Sequence, residues 1–151
     1  MFNVIRTDVH NKDFISLVSK LDIELSIRYS TDQEKFNLLN KMDGSAKVVV
    51  AFKDNNAVGC GCFRPGEDSK EAEIKRMYVL PKTRGLGVAN LILTELECWA
   101  KEEGYSIVKL ETGIKQPEAI SLYSKLGYTQ IENYGPYKHI PVSVCMAKNL
   151  E

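Results

Sequence analysis

Nothing in the 151 residues approaches the roughly 20-residue apolar run that a membrane span requires. Residues 48–52, Val-Val-Val-Ala-Phe, are among the longest such stretches. The first eight residues already carry Arg6 and Asp8, so a secretory leader is not expected and the expected location is cytoplasmic. No charge of either sign is in excess. Twenty Lys and Arg balance twenty Asp and Glu, which leaves no general field to attract nucleic acid or an anionic membrane. The four cysteines, Cys60, Cys62, Cys98 and Cys145, form no C-x-x-C pair. The two histidines, His10 and His139, are isolated, so no zinc framework or metal site is expected and the cysteines read as small buried apolar residues.

What is present is an ordinary globular composition, 44% hydrophobic and 26% charged, in a length that suits one domain over residues 1–151. No repeat or low-complexity tract divides it. Residues 2–7 read as an opening strand. Phe14, Leu17, Val18, Leu21 and Leu25 lie on one helical stripe, and Asp32 is placed to cap a second helix carrying Phe36, Leu39 and Met42. Residues 47–53 and 58–63 read as a hairpin about Asp54-Asn55-Asn56, followed by a third strand over 71–79 that Pro81 stops. Ala89, Ile92, Leu93, Leu96, Trp99 and Ala100 are expected to make the buried stripe of a long helix ended by Gly104. A strand over 106–112, a proline-led helix over 117–125 and two closing strands, 128–133 and 141–148, complete the order β-α-α-β-β-β-α-β-α-β-β. This predicts an α/β (α+β) fold, a mixed and largely antiparallel sheet flanked by helices.

The segment with the most chemistry runs from Met77 to Ala89. A strand enters Pro81, passes Lys82 and Arg84, which are expected to be mobile positive charges at the entrance, turns through Gly85 and Gly87, and opens a helix at once. The first turn of a helix leaves backbone N–H groups without intrahelical partners and carries about half a positive charge. Glycines remove the Cβ atoms that would hold a bulky anion away. The combination suits a pyrophosphate. The P-loop pattern G-x-x-x-x-G-K-[ST] is absent. A dinucleotide fingerprint is poorly matched, because the glycines follow the fourth strand and position 107 is Ile.

Lys82-Thr-Arg-Gly85-Leu-Gly87 resembles the acetyl-CoA motif Q/R-x-x-G-x-G/A of the GNAT superfamily of N-acetyltransferases, with Lys82 where Gln or Arg is usual. A second stretch, Gln116-Pro-Glu-Ala119-Ile-Ser-Leu122-Tyr123-Ser-Lys125-Leu-Gly127-Tyr128, resembles the family's N-x-x-A-x-x-L-Y-x-K-x-G-F, with Gln for Asn and Tyr for Phe. The resemblance spans nearly the whole chain. It implies that acetyl-CoA is the co-substrate, with Lys82, the N–H groups of Arg84, Gly85, Leu86, Gly87, Val88 and Ala89, and Gln116 about it. It further implies that Met77, Tyr78 and Val79 pair with the pantetheine arm as an added strand would.

Transfer of an acetyl group to an amine needs a neutral nucleophile, a stabilised oxyanion and a proton for the leaving thiolate. An amine of pKa ~10.4 is protonated at neutral pH, a barrier of roughly 4 kcal/mol. Tyr123, by the resemblance, is the expected general acid. Glu73, which by strand parity shares a face with Lys75, Met77 and Val79, is the expected base, with Glu111 as its rival. Tyr134 and Tyr137, in the loop before the last strand, are candidates for acceptor contact. No cysteine lies in either motif, so direct sequential transfer is expected rather than an acetyl-cysteine. The acceptor, a small-molecule amine or a protein amino group, is not written in these residues, and homodimers are frequent in the family. The competing reading is a non-catalytic acyl-CoA-binding sensor or interaction module.

Overall fold

A computed structural model describes residues 1–28 and 44–150. The expected second helix, from Asp32 through Phe36, Leu39 and Met42, lies outside the described residues. Seven strands form one sheet: β1 (Phe2–Thr7), β2 (Lys47–Lys53), β3 (Asn56–Pro65), β4 (Glu71–Val79), β5 (Ile107–Gly113), β6 (Thr129–Ile131) and β7 (Ser143–Asn149). Among the described residues three helices accompany them: α1 (Lys12–Arg28), α2 (Val88–Glu102) and α3 (Pro117–Lys125). Two 3-10 turns, Pro81–Thr83 and Gly135–Tyr137, add to the expected order. The strands run β1-β2-β3-β4-β5-β7-β6 across the sheet. Every neighbouring pair is antiparallel except β4 and β5, which the crossover through α2 makes parallel. The α/β expectation of a mixed, largely antiparallel sheet flanked by helices therefore holds.

The sheet buries both faces. In β2, Val49 and Ala51 pack toward α2 and α3 while Val48 and Val50 pack toward α1, which is why that strand reads as a continuous apolar run. On the first face Val88, Ile92, Leu93, Leu96 and Ala100 of α2 meet Phe63, Ile74 and Leu110. On the second, Phe14, Leu17 and Leu21 of α1 meet Cys60, Cys62 and Tyr78. Asn11 starts α1 by accepting the Phe14 N–H on its side-chain oxygen at 3.0 Å.

Two expectations about this core need correction. Trp99 is only half-buried. It lies at the rim of α2 with its ring edge-on to Phe63 at 5.7 Å and the Arg6 guanidinium 5.0 Å above it, so it serves as an amphipathic bridge between β1 and α2. Cys60, Cys62 and Cys145 are buried, but Cys98 is exposed on the outer face of α2.

The feature that positions the site is a bulge in β4. Cys60 stands opposite Tyr78, yet Cys62 stands opposite Lys75, so β4 carries one residue more than β3 over that interval. Arg76, inside the bulge, takes a left-handed φ of 60°. The extra residue inverts the strand's alternation. Before the bulge, Ala72 and Ile74 face α2; after it, Met77 and Val79 do, and Tyr78 faces α1.

Candidate active site

The parallel pairing of β4 with β5 runs from Glu71 opposite Ile107 to Ile74 opposite Leu110 and stops there, although β4 continues to Val79 and β5 to Gly113. The bulge at Arg76 turns β4 away, and the two strands splay into a V. Leu80 donates its N–H to Val58 on the β3 side at 2.8 Å. Adjacent residues of a strand direct their amides to opposite sides, so Val79 presents its N–H and C=O to the open V, while those of Tyr78 face β3. Of the three residues expected to pair with a pantetheine arm, Met77 and Val79 direct their backbone toward the V, where the Val79 C=O already accepts from Arg84 Nε. Tyr78 contributes only to the wall.

At the outer end of the V the chain makes the 3-10 turn Pro81–Thr83 and the glycine loop. Gly85 has φ 80° and Gly87 φ 86°, and a Cβ at either would meet nothing within 4 Å, so the space above them is open. Gly87 is the N-cap of α2 and supplies no side-chain cap. The first bond of the helix is Leu91 N–H to Gly87 C=O at 3.0 Å, which leaves the amides of Val88, Ala89 and Asn90 without an intrahelical carbonyl. This is the cradle that a diphosphate needs.

Arg84 is not the loose entrance charge that its position in the sequence suggests. Its Nε donates to Val79 C=O at 2.8 Å, its Nη2 donates to Glu24 Oε2 of α1 at 2.8 Å, and its guanidinium lies 5.5 Å from the centre of the Tyr78 ring. Lys82 and Leu86 are exposed, and neither lines the cleft.

Between the splayed strands, α1, α2 and α3 runs a cleft of about 420 Å³. Its walls include Val79, the glycine loop, Ala89, Gln116 and Tyr123. It adjoins a smaller cavity of about 110 Å³, and Leu21, Met77, Gln116, Ala119 and Tyr123 line both. The smaller cavity also meets Lys75, Arg76 and Glu111.

Tyr123 is 7% exposed and packs edge-on against Tyr128 at 5.7 Å. Burial first, and the nearby Glu111 charge second, push its hydroxyl well above the usual tyrosine range, so it keeps its proton at neutral pH. Glu111, from the part of β5 that has left β4 but still pairs with β7, accepts the Ser143 hydroxyl at 2.7 Å. Burial drives its carboxyl up to about 7, with Glu73 adding to the rise and Ser143 and Lys75 opposing it.

Glu73 sits elsewhere. It precedes the bulge, opposite Lys109 in the paired part of β4, so it does not share a face with Met77 and Val79 as strand parity suggests. One of its oxygens accepts from Arg64 Nε and Nη2 at 3.0 and 2.9 Å, and the other accepts from the Tyr134 hydroxyl at 2.9 Å. It lines a separate cavity of about 210 Å³ with Arg64, Lys109 and Tyr134. Tyr137 is fully buried, and its hydroxyl accepts from Lys75 Nζ. Neither Tyr134 nor Tyr137 lines the cleft or the smaller cavity beside it.

Lys75 and Arg76 were not singled out from the sequence. They enter the site because Lys75 and Arg76 lie among the residues lining the small cavity, with Ile74 and Met77 on either side of them. Burial, with Arg64 adding to it, pulls the Lys75 ammonium below the usual lysine range, against Glu73 and Glu111. Among the described residues no group of three or more His, Cys, Asp or Glu could hold a metal ion, and no helix is long and apolar enough to cross a membrane.

A parallel β4/β5 pair opened by a bulge, above an uncapped glycine-led helix, is the architecture of an acyl-CoA-dependent transferase, and the comparisons agree. Residues 14–128 match the acetyltransferase (GNAT) family. The chain is 31% identical over 137 residues, 90% of each chain, to an IAA acetyltransferase of Azospirillum brasilense. It superposes with a TM-score of 0.83 and 30% identity on a Klebsiella pneumoniae protein assigned as an acyl-CoA N-acyltransferase, covering 100% of this chain and 99% of that one. A GNAT family acetyltransferase from Elizabethkingia anophelis with acetyl-CoA bound shares the fold at a TM-score of 0.70 and 19% identity, over 99% and 98% of the two chains. The chain belongs to the acetyltransferase (GNAT) family. It is an acyltransferase of the N-acetyltransferase class.

Proposed function

We propose that this enzyme transfers the acetyl group of acetyl-CoA to a primary amine by direct attack, with Glu111 as the base and Tyr123 as the acid. The observation that carries the reading is that Glu111 and Tyr123 line one small cavity beside a cleft whose outer end is the uncapped start of α2. The glycine loop and the amides of Val88 and Ala89 would hold the diphosphate, and the backbone of Met77 and Val79 the pantetheine arm. A carboxyl with a pKa of about 7 suits a base at neutral pH. Glu73, bound to Arg64 and Tyr134 in a different cavity, does not meet the reacting atoms in this reading.

The amine nitrogen bonds to the thioester carbonyl carbon as the C–S bond breaks. The proton it loses goes to Glu111, and the departing sulfur takes the Tyr123 proton. Passage of the Glu111 proton back to Tyr123 runs toward the more basic oxygen and resets both groups.

Isothermal titration with acetyl-CoA, CoA, ATP and NAD tests the co-substrate, and Tyr123→Phe tests turnover. We expect heat with the two CoA species alone. We also expect Tyr123→Phe to lower kcat by about 10²-fold with acetyl-CoA affinity within about twofold of the parent. Binding without turnover on any amine would turn the reading to a CoA-binding module. No heat with either CoA species would overturn it.

A further inference from the structure

Val108 and Leu110 of β5 face α2, so the alternation of the strand puts Glu111 on the opposite face of the sheet. It is held there from β7. In the β5/β7 ladder Glu111 stands opposite Cys145, and Gly113 stands opposite Ser143. Ser143 is thus the diagonal neighbour of Glu111, and Gly113, directly across from the serine, has no side chain to stand between them. The Ser143 hydroxyl donates to Glu111 Oε2 at 2.7 Å, a short bond of the charge-assisted kind. Among the described residues it is the one hydrogen bond to that carboxylate, and Oε1 accepts none. Nor is Oε1 sealed inside protein, since Arg76 Nε is the one buried side-chain polar atom among the described residues that lacks a partner. One carboxyl oxygen is occupied and the other is open.

Ser143 is itself fixed on both sides. It is buried, its N–H donates to Ile140 C=O at 3.0 Å, and its C=O accepts from Asn133 Nδ2 at 3.1 Å. The same nitrogen of Asn133 donates to the carbonyls of Tyr137 and Ile140 at 3.3 Å each, so one side chain draws the loop before β7 closed behind the serine. The other groups about Glu111 have partners of their own. Lys75 of β4 donates to the Tyr137 hydroxyl and lies 4.0 Å from Glu73 Oε2, Glu73 accepts from Arg64 and Tyr134, and Arg76 donates to Asp22 of α1. Tyr123 of α3 shares the small cavity, and burial keeps the protons on Tyr123, Tyr137 and Cys145.

Resting on the assignment of Glu111 as base, we propose that Ser143 is a positioning residue for acetyl transfer: by holding Oε2 it leaves Oε1 as the oxygen that takes the proton from the amine. The serine keeps its own proton throughout. Its bond favours the charged carboxylate against the burial that disfavours it, so the base stays available near neutral pH. Without that donor the carboxylate is buried with no hydrogen bond, and its pKa must rise.

The test reads Glu111 in two ways. In protein labelled with carbon-13 at the glutamate carboxyl, the resonance that disappears in Glu111→Gln should titrate near pH 7. The pH profile of kcat/KM is read as CoA thiol release, with the fastest of the twenty amino acids, putrescine, phenethylamine and tetralysine as acceptor, and should show a limb at the same pH. Ser143→Ala should move both up by about one pH unit and lower kcat/KM at pH 6 by about tenfold. Acetyl-CoA affinity within about twofold of the parent shows that the variant is folded. Ser143→Thr keeps the hydroxyl and should hold both near the parent position, and Ser143→Cys, a weaker donor, should fall between. The three differ in volume as well as in donor strength, so any one that folds decides the matter. A resonance and a limb that stay in place in Ser143→Ala, with activity lost evenly at every pH, would overturn the proposal and make the serine a packing residue. Equal shifts for threonine and alanine would do the same. A limb that survives in Glu111→Gln would instead sink the assignment of the base, while the carboxyl resonance would still report whether Ser143 holds Glu111, so the two failures are distinct. Turnover on none of these amines would remove the proposal together with the transferase reading.

Discussion

Burial makes the charge of the Glu111 carboxylate costly to the folded state. Its carboxyl, at 4.5 in the unfolded chain, rises to about 7 when folded because burial disfavours its charge. A folded pKa above the unfolded one means that the folded state binds the extra proton. The stabilisation is therefore full below about pH 4.5 and is lost as pH rises through 7, a difference of order 3 kcal/mol. Glu111→Gln should then raise Tm relative to the parent at pH 8, and the gap should close toward pH 5. The same substitution should lower kcat/KM by about 10²-fold and erase the limb near pH 7, above which the parent enzyme gains activity. Thermal melts and a pH–rate profile on one pair of proteins read both effects. If the limb survives in Glu111→Gln, the base is another group. That Glu73 and Glu111 line different cavities was not legible from the sequence, because period-two counting assumes an unbroken strand. One inserted residue at Arg76 makes Glu73 and Met77 face opposite ways, and no side-chain pattern announces the insertion.

At the scale of the element, α2 offers an internal control, since a left-handed glycine bounds it at each end. Gly87 has φ 86° and Gly104 has φ 96°, and a Cβ at either would meet nothing within 4 Å. Alanine at either position should therefore cost the same kind of backbone strain, about 1–2 kcal/mol, with no added clash. Only Gly87 lies at the helix end where the diphosphate is expected, so Gly87→Ala should also weaken acetyl-CoA binding at least tenfold, while Gly104→Ala should leave it unchanged. Equal affinities for the two variants would mean that the loop is a turn and nothing more. This element was legible beforehand because its signals are local: an apolar stripe, a glycine stop and a G-x-G entry lie within twenty residues. What was not legible is the use of Arg84. Its sequence position put it at the entrance, but the Val79 carbonyl and the Glu24 carboxylate that bind it come from β4 and from α1, the latter sixty residues away.

For the whole molecule, a net charge of zero conceals an arrangement across the cleft mouth that bears on how the co-substrate enters. Arg84, beside the glycine loop, is tied to Glu24 of α1. Arg28, at the end of α1, is paired with Glu118 of α3, accepts Lys115 Nζ on its carbonyl at 3.4 Å and donates to the Lys115 carbonyl at 3.3 Å. Three elements that pack on different faces of the sheet are thus joined by ion pairs over the opening that the V creates. Glu24 and Glu118 both line that opening, so two carboxylates stand where a diphosphate must pass. Glu24 opposes binding in two ways: it repels the incoming anion, and it holds the one arginine of the loop. It is 29% exposed, so solvent screens part of both effects. Glu24→Gln should tighten acetyl-CoA binding by between about threefold and tenfold, ~1 kcal/mol. The gain should shrink at high salt and vanish for pantetheine, which has no phosphate. Isothermal titration at two ionic strengths reads it directly. An unchanged affinity would mean that Arg84 stays on Glu24 when the diphosphate binds, and that the backbone of the glycine loop carries the anion without it.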